Sequence, residues 1–346
     1  MTLVVRTPLA WLGPGRNTPD VQITCEGDSI TEVGPVRPVP DEVRVIAIDG
    51  FCMPAGADRH VHAELGDTVV MLRRGVTAVR DLAWPPDRIF PLAEASELPG
   101  FHGPLIRAVG PMLTAPGGYP TKATWAPAGT GLEVADGEAA AGAVAALGQR
   151  GATAIKVSLN AEAGPVPSDA ELTAICDAAH EAELPVTAHA QGEGQVERAL
   201  GAGVDELAHT PWTHHLSEDV VARCAASMRI VSTLDIHGFG RDTPALRTAL
   251  DNLRRFHGAG GTVIYGTDLG NGSIPAGIHT RELRLLAQAG LTSDEIVLAL
   301  TRAPIEPGAP ADLIVLGDDP LRDLAAFDDI RLVIRAGRVA PQPPFG

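Results

Sequence analysis

The chain has 346 residues, 45% of them hydrophobic and 20% charged, enough to bury one large core and too apolar for a disordered protein. Its net charge of −16 argues against a nucleic-acid backbone as partner, because phosphate binding needs clustered Lys and Arg. No apolar run approaches the ~18 residues that span a bilayer, and the opening MTLVVRTPLAWLGPGRN has no basic region followed by a long apolar one, so neither a membrane partner nor a signal peptide is expected.

The first fifty residues carry three strand-like runs, LVVRTPLAWL, VQITCEGDSITEVG and VRVIAID, with no helix between them. FCMPAGADRHVH follows as a further strand, and from about residue 76 short β-branched runs alternate with Ala- and Leu-rich ones. Strands are expected at 76–81, 104–110, 152–158, 185–190, 204–209, 229–235 and 262–268. The clearest helices lie at 136–150, 168–183, 194–202, 217–226, 244–259 and 278–290. Ser168 with Glu171, and Thr292 with Glu295, have capping-box spacing, in which each side chain satisfies a free amide at a helix start. Eight strands alternating with helices predict an α/β fold, a (β/α)8 TIM-like barrel over residues 52–304. ADLIVLGDD and IRLVIRAGRVA are again strand-like, so residues 1–51 and 305–346 are expected to build a small β-sandwich domain from both chain ends. The connection 110–135 exceeds an ordinary βα loop, and its aromatic content favours a lid. Cys25, Cys52, Cys176 and Cys224 are far apart and form no CxxC, which fits reduced core residues of a cytoplasmic protein.

Six side chains stand at the ends of apolar runs: His60 and His62 in PAGADRHVH, then Lys156, His189, His209 and Asp268. Alternate strand residues share a face, so His60 and His62 can converge on one ion. The others occupy the same end of later strands, where barrel active sites lie. Imidazole and carboxylate suit Zn, Mn or Fe, with Zn the default for a His-rich hydrolytic site. Lys156 reads in two ways. It reaches solvent or a carboxylate, or burial makes its amine neutral and able to take up carbon dioxide as a carbamate with a carboxylate-like end.

These motifs resemble the metal-dependent amidohydrolase superfamily, nearest its imidazolonepropionase-like and prolidase-like members. PAGADRHVH is similar to their first-strand PGxxDxHxH with the glycine displaced; GVTAVRDLA, IKVS, TAHAQG, ELAHT and YGTD are similar to later strands, and IEPGAPADLIVLGDDPLRD to the C-terminal return. The resemblance covers nearly the whole chain. It implies two divalent ions, His60, His62 and Asp268 on the first, His189 and His209 on the second, with carboxylated Lys156 and a hydroxide bridging them. Where these relatives often carry Gly-Gly-His, this chain has Gly117, Gly118 and Tyr119, and ALTRAPIEPG makes an abrupt return.

Cations sharing one water would lower its pKa enough to supply hydroxide near neutral pH. Asp268 would then carry the proton to the leaving group. Tyr119 either donates a hydrogen bond to the oxyanion or closes the lid. His237 either contacts substrate or faces solvent. Asp58 is expected to orient the HxH segment, Arg80 and Asp81 to form an internal ion pair, and Trp125 to pack or line the pocket. His214 and His215 read as loop residues, and His102, His180, His257 and His279 as structural. The expected function is hydrolysis of an amide C–N bond in a small molecule, linear (dipeptide or N-acyl amino acid) or cyclic; lactone or carbamate hydrolysis would use the same groups. A mononuclear deaminase is the alternative, although the position three after His189, where such enzymes carry Glu, is Gly192. A non-catalytic binding protein on this scaffold is a third. The family also suggests a homo-oligomer.

Overall fold

The structure, a computed structural model, describes residues 2–341, so residue 1 and residues 342–346 of the expected small domain lie outside the described residues. Strands β1 (Thr2–Trp11), β2 (Asn17–Glu26), β3 (Ser29–Pro35), β4 (Arg44–Ala47) and β5 (Phe51–Pro54) come first. Next are β6 (Gly56–Val61), β7 (Val76–Asp81), β8 (Leu105–Ala108), β9 (Met112–Thr114) and β10 (Gly131–Glu133). Then come β11 (Ile155–Asn160), β12 (Val186–Gln191), β13 (Glu206–Leu207), β14 (Arg229–Val231) and β15 (Thr262–Ile264). β16 (Leu313–Leu316), β17 (Ile330–Arg335) and β18 (Arg338–Val339) follow.

The chain ends meet in one eight-stranded sheet, ordered β18-β17-β16-β5-β1-β2-β3 with β4 beside β1. β5 makes the join, running parallel to β1 at Ala10–Cys52 and antiparallel to β16 at Cys52–Val315. Leu3, Val5, Ile23, Cys52, Leu313 and Val315 pack into a core of their own, distinct from the main one. The strands expected to form a sandwich are thus hydrogen-bonded into one continuous sheet.

The rest is α/β. β6, β7 and β8 form one parallel sheet, and β10-β9-β11-β12-β13-β14-β15 another. Backbone hydrogen bonds cross both gaps between them. At one, Thr153 N–H donates to Ala108 O (3.0 Å); at the other, Arg59 N–H donates to Tyr265 O (3.0 Å) and Asp268 N–H to His60 O (2.8 Å). β11 is buried along its whole length, as a parallel strand covered on both faces must be.

Helices Gly137–Gln149, Asp169–Glu181, Gln195–Gly201, Glu218–Ser227, Pro244–Gly258 and Thr280–Gln288 fall where periodicity places them. Both capping boxes form at Ser168 and Thr292. Two helices lie outside the expected set: Thr68–Arg73 is too short for a periodic signal, and Pro86–Ser96 has Pro91 inside it. The long 110–135 connection is pinned by the parallel pair β9–β10. Four expected strands stop early, β8 at Ala108, β13 at Leu207, β14 at Val231 and β15 at Ile264. The chain beyond them leaves the ladder to aim side chains: Thr233 and Asp268 adopt φ of 38° and 58°. Aspartate tolerates this left-handed region better than most residues.

Candidate metal centre

His60 and His62 are buried at the end of β6, and Asp268 is buried after β15. His60 Nδ1 lies 2.8 Å from Ala208 O and His62 Nδ1 lies 3.1 Å from Ala83 O. A carbonyl accepts only, so each Nδ1 carries a proton. Both Nε2 atoms point at Asp268 Oδ1, at 3.2 and 3.4 Å. Burial, then the charge of Lys156, pushes His60 well below the usual histidine range, which favours its neutral form with a lone pair on Nε2. Such a convergence is what a cation satisfies; His60, His62 and Asp268 form a candidate ligand group within 4.8 Å.

A second pair adjoins it. His189 Nδ1 and His209 Nε2 face each other at 3.0 Å, while His209 Nδ1 is held by Thr233 Oγ1 (3.0 Å) and His189 Nε2 lies 3.2 Å from Gln191 Oε1. Burial and the Lys156 charge lower His189 to about 4; burial and His60 lower His209 well below its ordinary value. Lys156 is fully buried on β11, its Nζ 3.5 Å from His60 Nε2. Burial lowers its amine to about 7. Among the described residues no carboxylate lies within ion-pair distance of it, which leaves the solvent-reaching or paired alternative without support. Burial alone would raise Asp268, but His60, His62 and His209 hold it well below the carboxylate range.

All six predicted ligands line one cavity of about 240 Å³, together with Tyr119 and His237. Tyr119 OH accepts from Trp125 Nε1 (3.0 Å), and burial raises the phenol to about 12, so its proton stays available to donate. His237 is half-buried in a short turn, Asp235–His237, with its Nε2 buried and unpartnered and its pKa lowered to about 4 by desolvation. Asp268 Oδ2 accepts from Asn271 Nδ2 at 3.0 Å.

Asp58 ties the ligand strands together: Oδ1 accepts from His60 N and Thr267 N, each at 3.0 Å, and Oδ2 from Thr267 Oγ1 at 2.5 Å. The expected Arg80–Asp81 ion pair does not form. Neighbouring strand residues point to opposite faces, so Arg80 pairs with Glu206 while Asp81 accepts from Ala63 N (2.7 Å) and Ala83 N (3.2 Å). His180, His215 and His257 face surface carboxylates, and His102 lines a separate cleft.

His279 is different. Its Nε2 lies 2.7 Å from Asp235 Oδ2, and Glu282 accepts the amides of Leu234 and Asp235, each at 2.8 Å, fixing the turn that carries His237. Glu282→Ala should leave these buried amides unpaired and cost about 2–4 kcal/mol, read as a lower urea midpoint; an unchanged midpoint would mean the turn holds itself.

The sequence reading missed Met112, Asn160, Gln191, Trp212, Ile236 and Asn271 in the cavity wall. Strand alternation could have found two of them: Asn160 shares the Lys156 face of β11, and Gln191 the His189 face of β12.

An α/β scaffold that gathers candidate metal-ligand side chains beyond its parallel strands suits a metal-dependent hydrolase. The model of the Amidohydrolase family matches residues 51–340, and the chain belongs to that family. It is a hydrolase acting on carbon–nitrogen bonds. Among similar proteins, the uncharacterized protein Rv2915c of Mycobacterium tuberculosis is 26% identical, over 84% of this chain and 83% of that protein. A candidate prolidase from Bifidobacterium longum superposes with a TM-score of 0.84 at 26% identity, covering 99% of this chain and 95% of that one. A Xaa-Pro dipeptidase with bound methionine superposes with a TM-score of 0.82 at 19% identity, covering 98% and 99%. No helix among the described residues is long and apolar enough to cross a membrane.

Proposed function

We propose that the protein is a binuclear metal-dependent hydrolase that cleaves an amide C–N bond in a small molecule. The observation that carries this is the convergence of His60 Nε2, His62 Nε2 and Asp268 Oδ1, three buried ligand atoms, at one point of the cavity. In this reading the two parallel sheets close as one (β/α)8 barrel over residues 52–304, and residues 1–51 with 305–346 form the small β-domain. His60, His62 and Asp268 would hold one divalent ion, zinc by donor type, and His189 with His209 the other. The Lys156 amine, whose burial favours the neutral form, could add to carbon dioxide: an N–C bond would form, one N–H proton would leave, and the carbamate would offer oxygen donors to the ions.

Two bound cations would supply carbonyl polarisation and a water acidified toward neutral pH. The chain's own groups do the rest. Tyr119 OH donates to the oxygen that gains charge, and Asp268 Oδ2 receives a proton and returns it to the departing nitrogen. Asn271 holds that carboxylate in one rotamer. His237 Nε2 is placed to touch the substrate. Four buried, unpaired cysteines support a reducing, cytoplasmic setting.

Elemental analysis of purified protein should find two divalent ions per chain, and chelation should abolish activity until metal and bicarbonate are restored together. One ion per chain would favour a mononuclear deaminase; none would favour a binding protein.

A further inference from the structure

We propose that the amide this site cleaves is uncharged and flat, an anilide or a planar cyclic amide, in preference to a dipeptide or N-acyl amino acid with a free carboxylate. The inference rests on the hydrolase reading above and narrows its substrate.

Aromatic side chains are scarce in this chain, 4% of residues, with four tryptophans and two tyrosines. Yet two of those tryptophans and one tyrosine surround the ligand histidines. Trp212 stacks on His237 (centroids 4.5 Å apart, planes at 28°) and stands edge-on to His209 at 5.5 Å and His189 at 5.9 Å. Tyr119 lies 5.3 Å from the His189 ring, and Trp125 lies 4.7 Å from the His62 ring. Trp212 and Tyr119 both line the cavity, so a ring or conjugated amide entering it meets aromatic surface, where stacking adds to apolar burial.

The polar wall is neutral. It is made of the amides Asn160, Gln191 and Asn271, which can both donate and accept. The charged groups among the described lining residues are Lys156 and Asp268, both already in the ligand cluster. Away from the ligand cluster and the ions it would hold, a substrate carboxylate would exchange its hydration for three neutral amides, with no further Lys or Arg among the described lining residues to pair with it. A second amide or imide edge would be matched by them, and His237 Nε2, buried without a partner, offers one further hydrogen bond. A cavity of about 240 Å³ suits a single ring plus a short acyl group. Hydrolysis balances with water alone: the C–N bond breaks, oxygen from water joins the carbonyl carbon, and a proton from water joins the released nitrogen.

Binding and turnover are to be measured separately on the full chain. Tryptophan-fluorescence titration with 4-nitroaniline should quench with a Kd at least about tenfold below that for L-phenylalanine or L-proline, with and without zinc; Trp212→Ala should weaken that binding about tenfold and Trp212→Phe should restore it. With zinc and bicarbonate, kcat/KM should be at least about tenfold higher for 4-nitroacetanilide or hydantoin than for N-acetyl-L-phenylalanine, and the neutral amide of N-acetyl-L-phenylalanine should outrun its acid. Which of the first two is faster separates linear from cyclic substrates. Preference for the carboxylates in either assay overturns the inference and leaves the hydrolase reading standing. Selective binding of 4-nitroaniline with no amide cleaved overturns the hydrolase reading while the flat, neutral preference of the cavity remains measured. Equal binding of all probes, or quenching that Trp212→Ala leaves unchanged, sinks the inference whatever the turnover.

Discussion

Asp268→Asn should leave the protein folded and reduce kcat by about 10³-fold or more, since it removes both a metal-ligand charge and the proton carrier. The substitution is isosteric, and its backbone requirement is met: Asp268 sits at φ 58°, a region asparagine enters as readily as aspartate. The Asp268 N–H bond to His60 O is main chain and survives. The lost charge matters because Oδ1 faces the two Nε2 atoms that a cation must join. Thermal unfolding of the metal-free variant should match wild type within a few degrees, and its zinc content should fall. Near-normal turnover would refute the role given to this carboxylate; a collapsed melting curve would mean the position is mainly structural.

Lys156→Met should bring metal content from two ions per chain to one and reduce kcat/KM by at least about 10²-fold, because the carbamate bridge cannot form. The same variant tests the buried amine without any metal. Lys156 has its pKa lowered from 10.5 to about 7 by burial. Between those values the unfolded chain binds a proton that the folded chain does not, so the contribution of this amine to the stability of metal-free wild type rises with pH from about 7 upward. Thiols set the upper end of the window. Burial raises all four cysteines, and from about pH 8.5 their ionisation in the unfolded chain acts with the opposite sign. Asp58 and Glu282, raised by burial to about 7, act with the opposite sign over the same range in both proteins, so between pH 7 and pH 8.5 the urea midpoint of metal-free wild type should rise relative to that of Lys156→Met. Parallel slopes in the two proteins would place the amine in water and remove the basis for carboxylation.

The site was largely legible because its members stand at the ends of apolar runs, where a strand stops and a side chain is presented. His60, His62, Lys156, His189, His209 and Asp268 were each visible in that way, and the cavity holds all six. The wall opposite them was not. Trp212 and Ile236 lie in connections, and Asn271 comes just after the expected strand at 262–268; no periodicity marks which connections fold inward. Arg80 and Asp81 illustrate a different failure. Adjacency in sequence suggested a pair, but the pleat turned one toward Glu206 and the other toward the amides of Ala63 and Ala83.

What the sequence by itself determined is the alternation of strands and helices, the strands at both ends and the candidate ligand side chains, since these depend on local propensity and on which atoms can bind a cation. Only the tertiary structure decided that both chain ends share a sheet through β5, that His60 and His62 turn their Nε2 atoms toward Asp268, and that aromatic rings and neutral amides wall the cavity. Those outcomes depend on groups far apart in sequence (Ala208 fixing His60, Ala83 fixing His62, Thr233 fixing His209), and packing alone brings them within hydrogen-bond reach.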